Sequence, residues 1–357
     1  MCASLRSDRR REGRPRVAIT LGDPAGIGPE ILAKMLARGE LGDSCTPVVV
    51  GDARLVRRAF EIVGAPEHAP RVFAVTSAAQ LGQADAGAHL VLDLNNLGPD
   101  AFELGRVDAG AGGAAGQFIA TAIELALDGT VDAVVTNPIH KEAFRLGGWG
   151  ERYPGHTEMF AALTGSESTC MMLACGTMRV CHVTTHVSLL EALTHHIKRR
   201  RIAEVIRLAD QACRSLGIER PRIGVAGINP HAGQDTLFGD EERREIAPAI
   251  ADAGAAGIDA EGPIAADTLF CKALGGMFDA AVAMYHDQGH IPVKLAGFRY
   301  DHESRQWDMR GVNVTLGLPI IRTSVDHGTA FDQAGTGAAD HRSLVDAVRY
   351  AVRLATS

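Results

Sequence analysis

Aromatic residues make up only 5% of the sequence, too few for an aromatic-rich β-sandwich core. No stretch approaches the ~20 consecutive apolar residues that a membrane helix needs, so no membrane partner is expected. A basic field is also missing. The formal net charge is −7, which leaves no global attraction for nucleic acid. The seven cysteines are odd in number and no two form Cys-x-x-Cys, so neither a disulfide framework nor a zinc knuckle follows. A reducing, cytoplasmic setting is the natural expectation. Internal repeats and low-complexity segments are absent as well. Strong positive charge is confined to the start of the chain, at Arg6, Arg9, Arg10, Arg11, Arg14 and Arg16. That stretch lacks the apolar run of a secretory signal, and residues 1–16 read as a short disordered basic tail.

What is present suits an α/β protein. The 357 residues allow two domains, and 46% hydrophobic with 22% charged residues is ordinary globular composition. Forty glycines and abundant alanine favour close packing of helix on sheet. Apolar β-branched runs alternate with amphipathic stretches, the pattern of mostly parallel sheets flanked by helices. Val17–Leu21, Pro47–Val50 and Val131–Thr136 read as strands. A helix is expected from about Pro29, another over 116–129, and a third from Ile202 to Leu216, closed by Gly217. Asp240, Glu241 and Glu242 open a further helix, with their charges at its positive end. Tyr300–Arg310 is polar and reads as an exposed loop or hairpin. The expected division places 17–140 with 305–357 in one domain and 141–304 in another.

Three apolar runs each lead into a histidine: Arg179–Thr185 into His186, Arg222–Ile228 through Asn229-Pro230 into His231, and Asp279–Tyr285 into His286. Ligands of open α/β sheets bind beyond the carboxyl ends of strands. Three imidazoles delivered there are able to converge on one divalent ion with open coordination positions. A lone histidine is more often a surface or hydrogen-bonded residue, and it is the repetition at equivalent strand ends that raises the metal reading. Asp287 is placed to orient a ligand or act as a base. Asp267 precedes an apolar helix start, where an N-cap is the plain alternative. The segment 22–30, with three glycines between strand and helix, suits either an anion or a plain tight turn. In 326–337, small residues leave room for a flat ligand and Asp332 is able to accept from ribose hydroxyls. A surface loop is the competing reading there.

At these residues the chain closely resembles the 4-hydroxythreonine-4-phosphate dehydrogenase family of vitamin B6 synthesis. The carriers are GDPAGIGPE (22–30), TNPIHK (136–141), YPGHTE (153–158), TTH (184–186), NPHAG (229–233), ADTLF (266–270), YHDQG (285–289) and VNVTLGLPIIRTSVDHGTA (312–330). The first and last are also similar to segments of isopropylmalate and isocitrate dehydrogenases. The resemblance implies the two-domain fold of those enzymes, an active site in the interdomain cleft, a homodimer, and NAD bound outside any Rossmann motif. It implies His186, His231 and His286 as ligands of a divalent metal (Zn, Mg, Co or Mn). It also implies His156, Thr157, Lys294, Asn313 and Arg322 as substrate contacts. Asp267 and Asp287 match acids near the metal, Lys141 is a further catalytic candidate, and Gly328, Thr329, Asp332 and Gly335 would hold the adenosine side of NAD.

The implied reaction is oxidation and decarboxylation of a small phosphorylated hydroxy acid. After His-Asp-Gln-Gly the chain has His290-Ile291-Pro292-Val293-Lys294, where vitamin B6 members carry Leu-Pro-Pro-type residues. His-Ile-Pro is more similar to a branch acting on threonate or erythronate 4-phosphate. A branch oxidising cis-dihydrodiols of aromatic acids has a similar segment, but the run from Asn313 to Arg322 favours a phosphorylated substrate. A metal-dependent aldolase or hydrolase, or a binding protein that keeps only the fold, are the remaining readings.

Overall fold

The computed structural model describes residues 13–83, 87–302 and 306–357, so the basic tail lies outside the described residues up to Glu12. The chain divides into two compact units, Met1–Ser168 with Leu318–Thr356, and Thr169–Gly317.

The first unit begins with strands β1 (Arg16–Thr20), β2 (Thr46–Gly51), β3 (Val72–Val75), β4 (His89–Asp93) and β5 (Ala133–Thr136). The second holds β6 (Cys170–Cys175), β7 (Met178–His182), β8 (Arg222–Ala226), β9 (Asp259–Ile264), β10 (Ala280–Ala283), β11 (Phe298–Asp301), β12 (Gln306–Met309) and β13 (Val312–Leu316). The chain then returns to the first unit for β14 (Ile321–Val325). Helices of the first unit are α1 (Gly28–Ala37), α2 (Ala53–Ile62), α3 (Ala109–Leu127), α4 (Lys141–Leu146) and α5 (His156–Thr164). Those of the second are the single turn α6 (Leu189–Glu191), α7 (Arg199–Arg214), α8 (Ala247–Ala255), α9 (Ala266–Leu274) and α10 (His286–Gly297), after which α11 (Arg342–Thr356) closes the first.

Within the first unit the strands run in the order β3-β4-β2-β1-β5-β14, with each pair parallel. Their side chains are buried on both faces, as in Val17-Ala18-Ile19 and Val48-Val49-Val50. Such unbroken apolar runs are what a parallel sheet covered by helices requires. The second unit orders its main sheet β13-β6-β7-β10-β8-β9; β6 pairs antiparallel with both neighbours and the remaining pairs are parallel. Its core joins Leu173, Val180 and Ala281 from the strands to Leu269, Phe270 and Val293 from α9 and α10. Burial of each large side chain there contributes about 1.5–3 kcal/mol. The α/β class with mostly parallel sheets and flanking helices is therefore as expected.

Several details differ from the sequence reading. Helix α3 starts at Ala109, well before residue 116, because Asp108 caps it by accepting from the Ala111 amide. Its glycines are contact residues: a Cβ on Gly112 would meet the Ala143 carbonyl oxygen at 1.9 Å, and one on Gly116 the Trp149 ring at 2.2 Å. Glycine weakens a helix by roughly 1 kcal/mol, a cost offset here by close approach of α4. The units part at Ser168/Thr169 and Gly317/Leu318 instead of near 140 and 305. Helices α4 and α5 pack on α3, and β13 pairs with β6. The polar stretch 300–310 lies on a hairpin in which β11 and β12 pair antiparallel; residues 303–305 are outside the described residues. Asp267 is not the N-cap of α9, since Ala265 holds that position and Asp267 sits in the first turn. Six described cysteines are free thiols. Among the described residues no helix is long and apolar enough to cross a membrane.

Buried titratable groups give this fold a pH dependence of definite sign. Burial pushes His89 down to about 4, His182 to about 3 and His156 well below its ordinary value. An unfolded-state histidine titrates near ~6.5, so these three stabilise fully above that pH and lose the contribution as pH falls. Asp23 has the opposite sign. Burial raises it to about 6, so its contribution is present at low pH and lost as pH rises through 6. His290, also lowered to about 4 by burial, adds a fourth imidazole, and four against one carboxyl leave a net uptake of about three protons on unfolding. The urea midpoint is therefore expected to fall steadily from pH 6.5 to 4, and a flat or rising midpoint over that range would refute the assignment.

Candidate active site

In the second unit, β7, β10 and β8 are neighbours, and His186, His286 and His231 follow their carboxyl ends. Strand β7 itself stops at His182, and His186 stands on the loop beyond. Two side chains tie these ends together. Thr184 Oγ1 donates to the Met284 carbonyl at 2.9 Å. Buried Gln288 accepts from the Met284 amide at 2.7 Å and donates to the Gly227 carbonyl at 2.8 Å.

His286 opens α10, with its ring centroid 6.0 Å from that of His186. Two imidazoles sharing an ion at ~2.0–2.1 Å from each Nε2 stand about 5–6 Å apart by centroid, so this pair fits a divalent cation. Asp287 Oδ1 accepts from His286 Nδ1 at 2.7 Å, which leaves Nε2 as the nitrogen with a lone pair to offer. The ring of His290 stacks on His286 at 3.6 Å, and its Nδ1 donates to the His286 carbonyl at 3.0 Å. Behind it lies buried His182, 4.6 Å away by ring centroid. Nothing in helical periodicity flagged His182, whose Nδ1 bonds the Met171 carbonyl.

His231 does not join the pair. Among the described residues no group of three or more His, Cys, Asp or Glu side chains stands ready to hold a metal ion. The backbone at His231 is unusual. Residues 231–236 all have positive φ, including His231 at 53°, Asp235 at 54° and Thr236 at 77°. Left-handed backbone at non-glycine residues is strained and persists only where the surroundings enforce it. Just before this run, the buried Glu242 carboxylate accepts the amides of Ile228 at 2.8 Å and Asn229 at 2.7 Å, and Asn229 Nδ2 at 2.9 Å. The sequence reading saw Glu242 only as a helix-opening acid. His231 is exposed, and its ring faces Phe238 at 6.2 Å.

The other acids and polar candidates of this unit are spread along it. Asp267 is exposed and accepts from Thr268 Oγ1 at 3.2 Å. Lys294 follows His286 and His290 at i+8 and i+4 on α10, with Nζ 4.9 Å from the Phe298 ring centroid. Asn313 lies on β13, and its Oδ1 is buried without a hydrogen-bond partner. A buried, unsatisfied acceptor is costly unless a ligand completes it.

The first unit buries a cation beside a neutral imidazole. Arg322, on β14, is 3% exposed; its Nη2 donates to Thr136 Oγ1 at 2.8 Å and its guanidinium lies 5.4 Å from the Phe160 ring centroid. Burial lowers its pKa to about 10, opposed by Glu158, so it stays charged at neutral pH. His156 opens α5, followed by Thr157, and its Nε2 is buried without a partner. Burial, then the nearby Arg322 charge, keeps that imidazole neutral. A guanidinium, an imidazole and a helix start suit an anion. Lys141 is exposed at the first residue of α4.

The segment 326–337 is in this unit too. Gly328 and Asp332 are exposed, Thr329 is buried and its carbonyl accepts the Ile27 amide at 3.0 Å. The turn at 22–28 is as tight as its glycines suggest: a Cβ on Gly28 would meet the Leu21 oxygen at 2.4 Å. The small residues of 328–335 leave the Asp332 carboxylate exposed, where it is chemically able to accept from hydroxyl groups such as those of a ribose.

Comparison with known proteins decides the family. The family described as "Pyridoxal phosphate biosynthetic protein PdxA" matches residues 43–351. The chain belongs to the PdxA family. Among PdxA-like relatives, D-threonate 4-phosphate dehydrogenase of Cupriavidus necator is 46% identical over 344 residues, covering 96% of this chain and 98% of that one. The 4-hydroxythreonine-4-phosphate dehydrogenase of Beijerinckia indica is 48% identical over 338 residues, covering 95% and 94%. The crystal structure of 4-hydroxythreonine-4-phosphate dehydrogenase from Klebsiella pneumoniae superposes with a TM-score of 0.81 at 43% identity, covering 96% and 100%. These PdxA relatives are dehydrogenases, and the enzyme class expected from the sequence, oxidoreductase, is theirs.

Proposed function

We propose that the chain oxidises and decarboxylates a 4-phosphorylated four-carbon hydroxy acid in the cytoplasm, with NAD and a divalent metal. D-threonate or erythronate 4-phosphate is the preferred substrate and 4-phosphohydroxy-L-threonine the close alternative. The observation that carries the reading is the buried Arg322 beside neutral His156. A guanidinium removed from water is costly, and a phosphate gives it a use. The names of the relatives from C. necator and B. indica, both acting on phosphorylated four-carbon acids, support it.

The residues divide the work. Arg322, His156 and Thr157 hold the phosphate, while Asn313 and Lys294 bind the hydroxyl and carboxylate. When bound, a divalent ion on His186, His231 and His286 lowers the pKa of the substrate hydroxyl, and NAD, bound along Gly328, Thr329, Asp332 and Gly335, accepts the hydride. Asp287 already accepts from His286 and therefore orients the ligand, which leaves Asp267 as the base. Lys141 supplies the proton that replaces carbon dioxide.

A homodimer completes this picture. Exposed apolar side chains follow each histidine: Leu190 (76%) after His186, Leu237 (69%) after His231 and Leu295 (78%) after His286. With His231 apart from the other two rings, a second copy of the chain is the partner that supplies the missing ligand.

The test is an initial-rate comparison of the three phosphorylated acids and a cis-dihydrodiol, following NADH in protein stripped by chelator and reloaded with Zn, Mg, Co or Mn. One phosphorylated acid should be oxidised, and chelation should slow it by at least about a hundredfold. No NADH from any of the three with metal-replete protein would end the proposal.

A further inference from the structure

Segment 326–339 follows β14 and carries the four residues that the proposed function gives to the dinucleotide. We infer that Glu30 and Lys34, one turn apart on α1, are positioning residues for this segment and set dinucleotide affinity without touching the dinucleotide. The inference rests on the cofactor assignment made above.

Glu30 is 1% exposed. A carboxylate that deep requires hydrogen bonds, and it takes them from this segment. Its Oε1 accepts the Gly335 amide and its Oε2 the Gly337 amide, the latter at 2.8 Å. Both glycines are left-handed, with φ of 85° and 66°. Two amides flanking one residue in that conformation point into a common concavity that suits an anion, and the protein fills it with its own carboxylate. A side chain at Gly337 would also strike the Ile62 oxygen at 2.8 Å, so this course of the backbone depends on glycine.

Lys34 grips the far end of the segment. Its Nζ donates to the Ala339 carbonyl at 2.7 Å. Residues i and i+4 share a helix face, so one face of α1 holds an amide pair and a carbonyl of the same segment. The near end is held by the Ile27 amide on the Thr329 carbonyl, and Gly26 packs so tightly that a Cβ would meet that oxygen at 2.9 Å. Both ends are thus anchored to α1 and the turn before it, with exposed Asp332 between them.

Anchoring of this kind acts through entropy. Ordering a residue costs conformational entropy, and a segment already ordered leaves more of its contact energy as affinity. Glutamine at position 30 keeps the volume but turns one acceptor into a donor facing an amide. Titrating NAD into wild type, Glu30→Gln and Lys34→Met, followed by calorimetry without substrate, reads the effect directly. The NAD Kd should rise roughly 30-fold in Glu30→Gln and roughly fivefold in Lys34→Met, while the KM of the phosphorylated acid stays within about twofold.

Unchanged NAD affinity in a folded Glu30→Gln protein overturns the inference. So does parallel weakening of NAD and substrate, which is what general loosening of the fold would produce. If Glu30→Gln does not fold, Lys34→Met decides by the same two criteria. A wild type that takes up no NAD overturns the cofactor assignment itself and the inference with it, an outcome visible before either variant is measured.

Discussion

Replacing Arg322 with methionine is expected to lower kcat/KM for the phosphorylated acid by a factor on the order of a thousand, with the protein still folded. The guanidinium is 3% exposed and held in place by Thr136 Oγ1 and the face of Phe160. Screening by water is weak at such a site, so a phosphate contact there is stronger than one at the surface. Losing one partner of a buried charge pair costs about 3–5 kcal/mol, which sets the size of the effect. Methionine keeps most of the volume and removes the desolvation cost that lowers the Arg322 pKa, so no buried charge is left uncompensated in the free protein. Melting temperature should therefore hold or rise while turnover collapses. The unphosphorylated acid provides the control, because it has no phosphate to lose and should be handled equally poorly by both proteins. A loss below about fivefold with the phosphorylated acid, or an equal loss with both acids, would remove Arg322 from the phosphate site.

Much of the fold was legible because a parallel sheet writes itself as unbroken apolar runs. Val17-Ala18-Ile19 and Val48-Val49-Val50 are buried on both faces and occupy neighbouring strands. The histidine ends were legible for the same reason, since β7, β10 and β8 announce themselves and the residues after them follow. Three things were less visible. The glycines opening α3 read as a break in helix signal because their value lies in contacts with Ala143 and Trp149, far along the chain. The division at Ser168 and Gly317 depends on α4 and α5 packing on α3, which periodicity does not report. Glu30 and Glu242 each sit in a helix's first turns, where an acid is ordinary; their carboxylates instead hold backbone amides of other segments. A one-dimensional pattern carries local preference, whereas these roles come from long-range closure.

The same limit explains the histidines. Spacing placed three imidazoles beyond three adjacent strands, yet among the described residues of one chain no three such side chains gather as a metal site, and only His186 and His286 are in ring contact. If a second copy completes the set, His231→Ala and His286→Ala should each be nearly inactive alone, with losses on the order of a thousandfold. Mixed in equal amounts and allowed to exchange subunits, they should recover activity. In a mixed dimer one of the two sites inherits both defects and the other inherits neither. Random pairing puts half of the dimers in that mixed form, so the mixture should reach about one quarter of wild-type turnover and bind about one quarter of its metal. Ligand sets drawn from a single chain behave differently, because each site then lacks one histidine whatever the pairing, and the mixture stays as inactive as its components. Metal content read alongside turnover separates restored ligation from nonspecific stabilisation by the partner. Recovery of turnover without metal would detach the histidines from the chemistry. The absence of both would return the whole ligand set to one chain and require His231 to move from its present place beside Phe238.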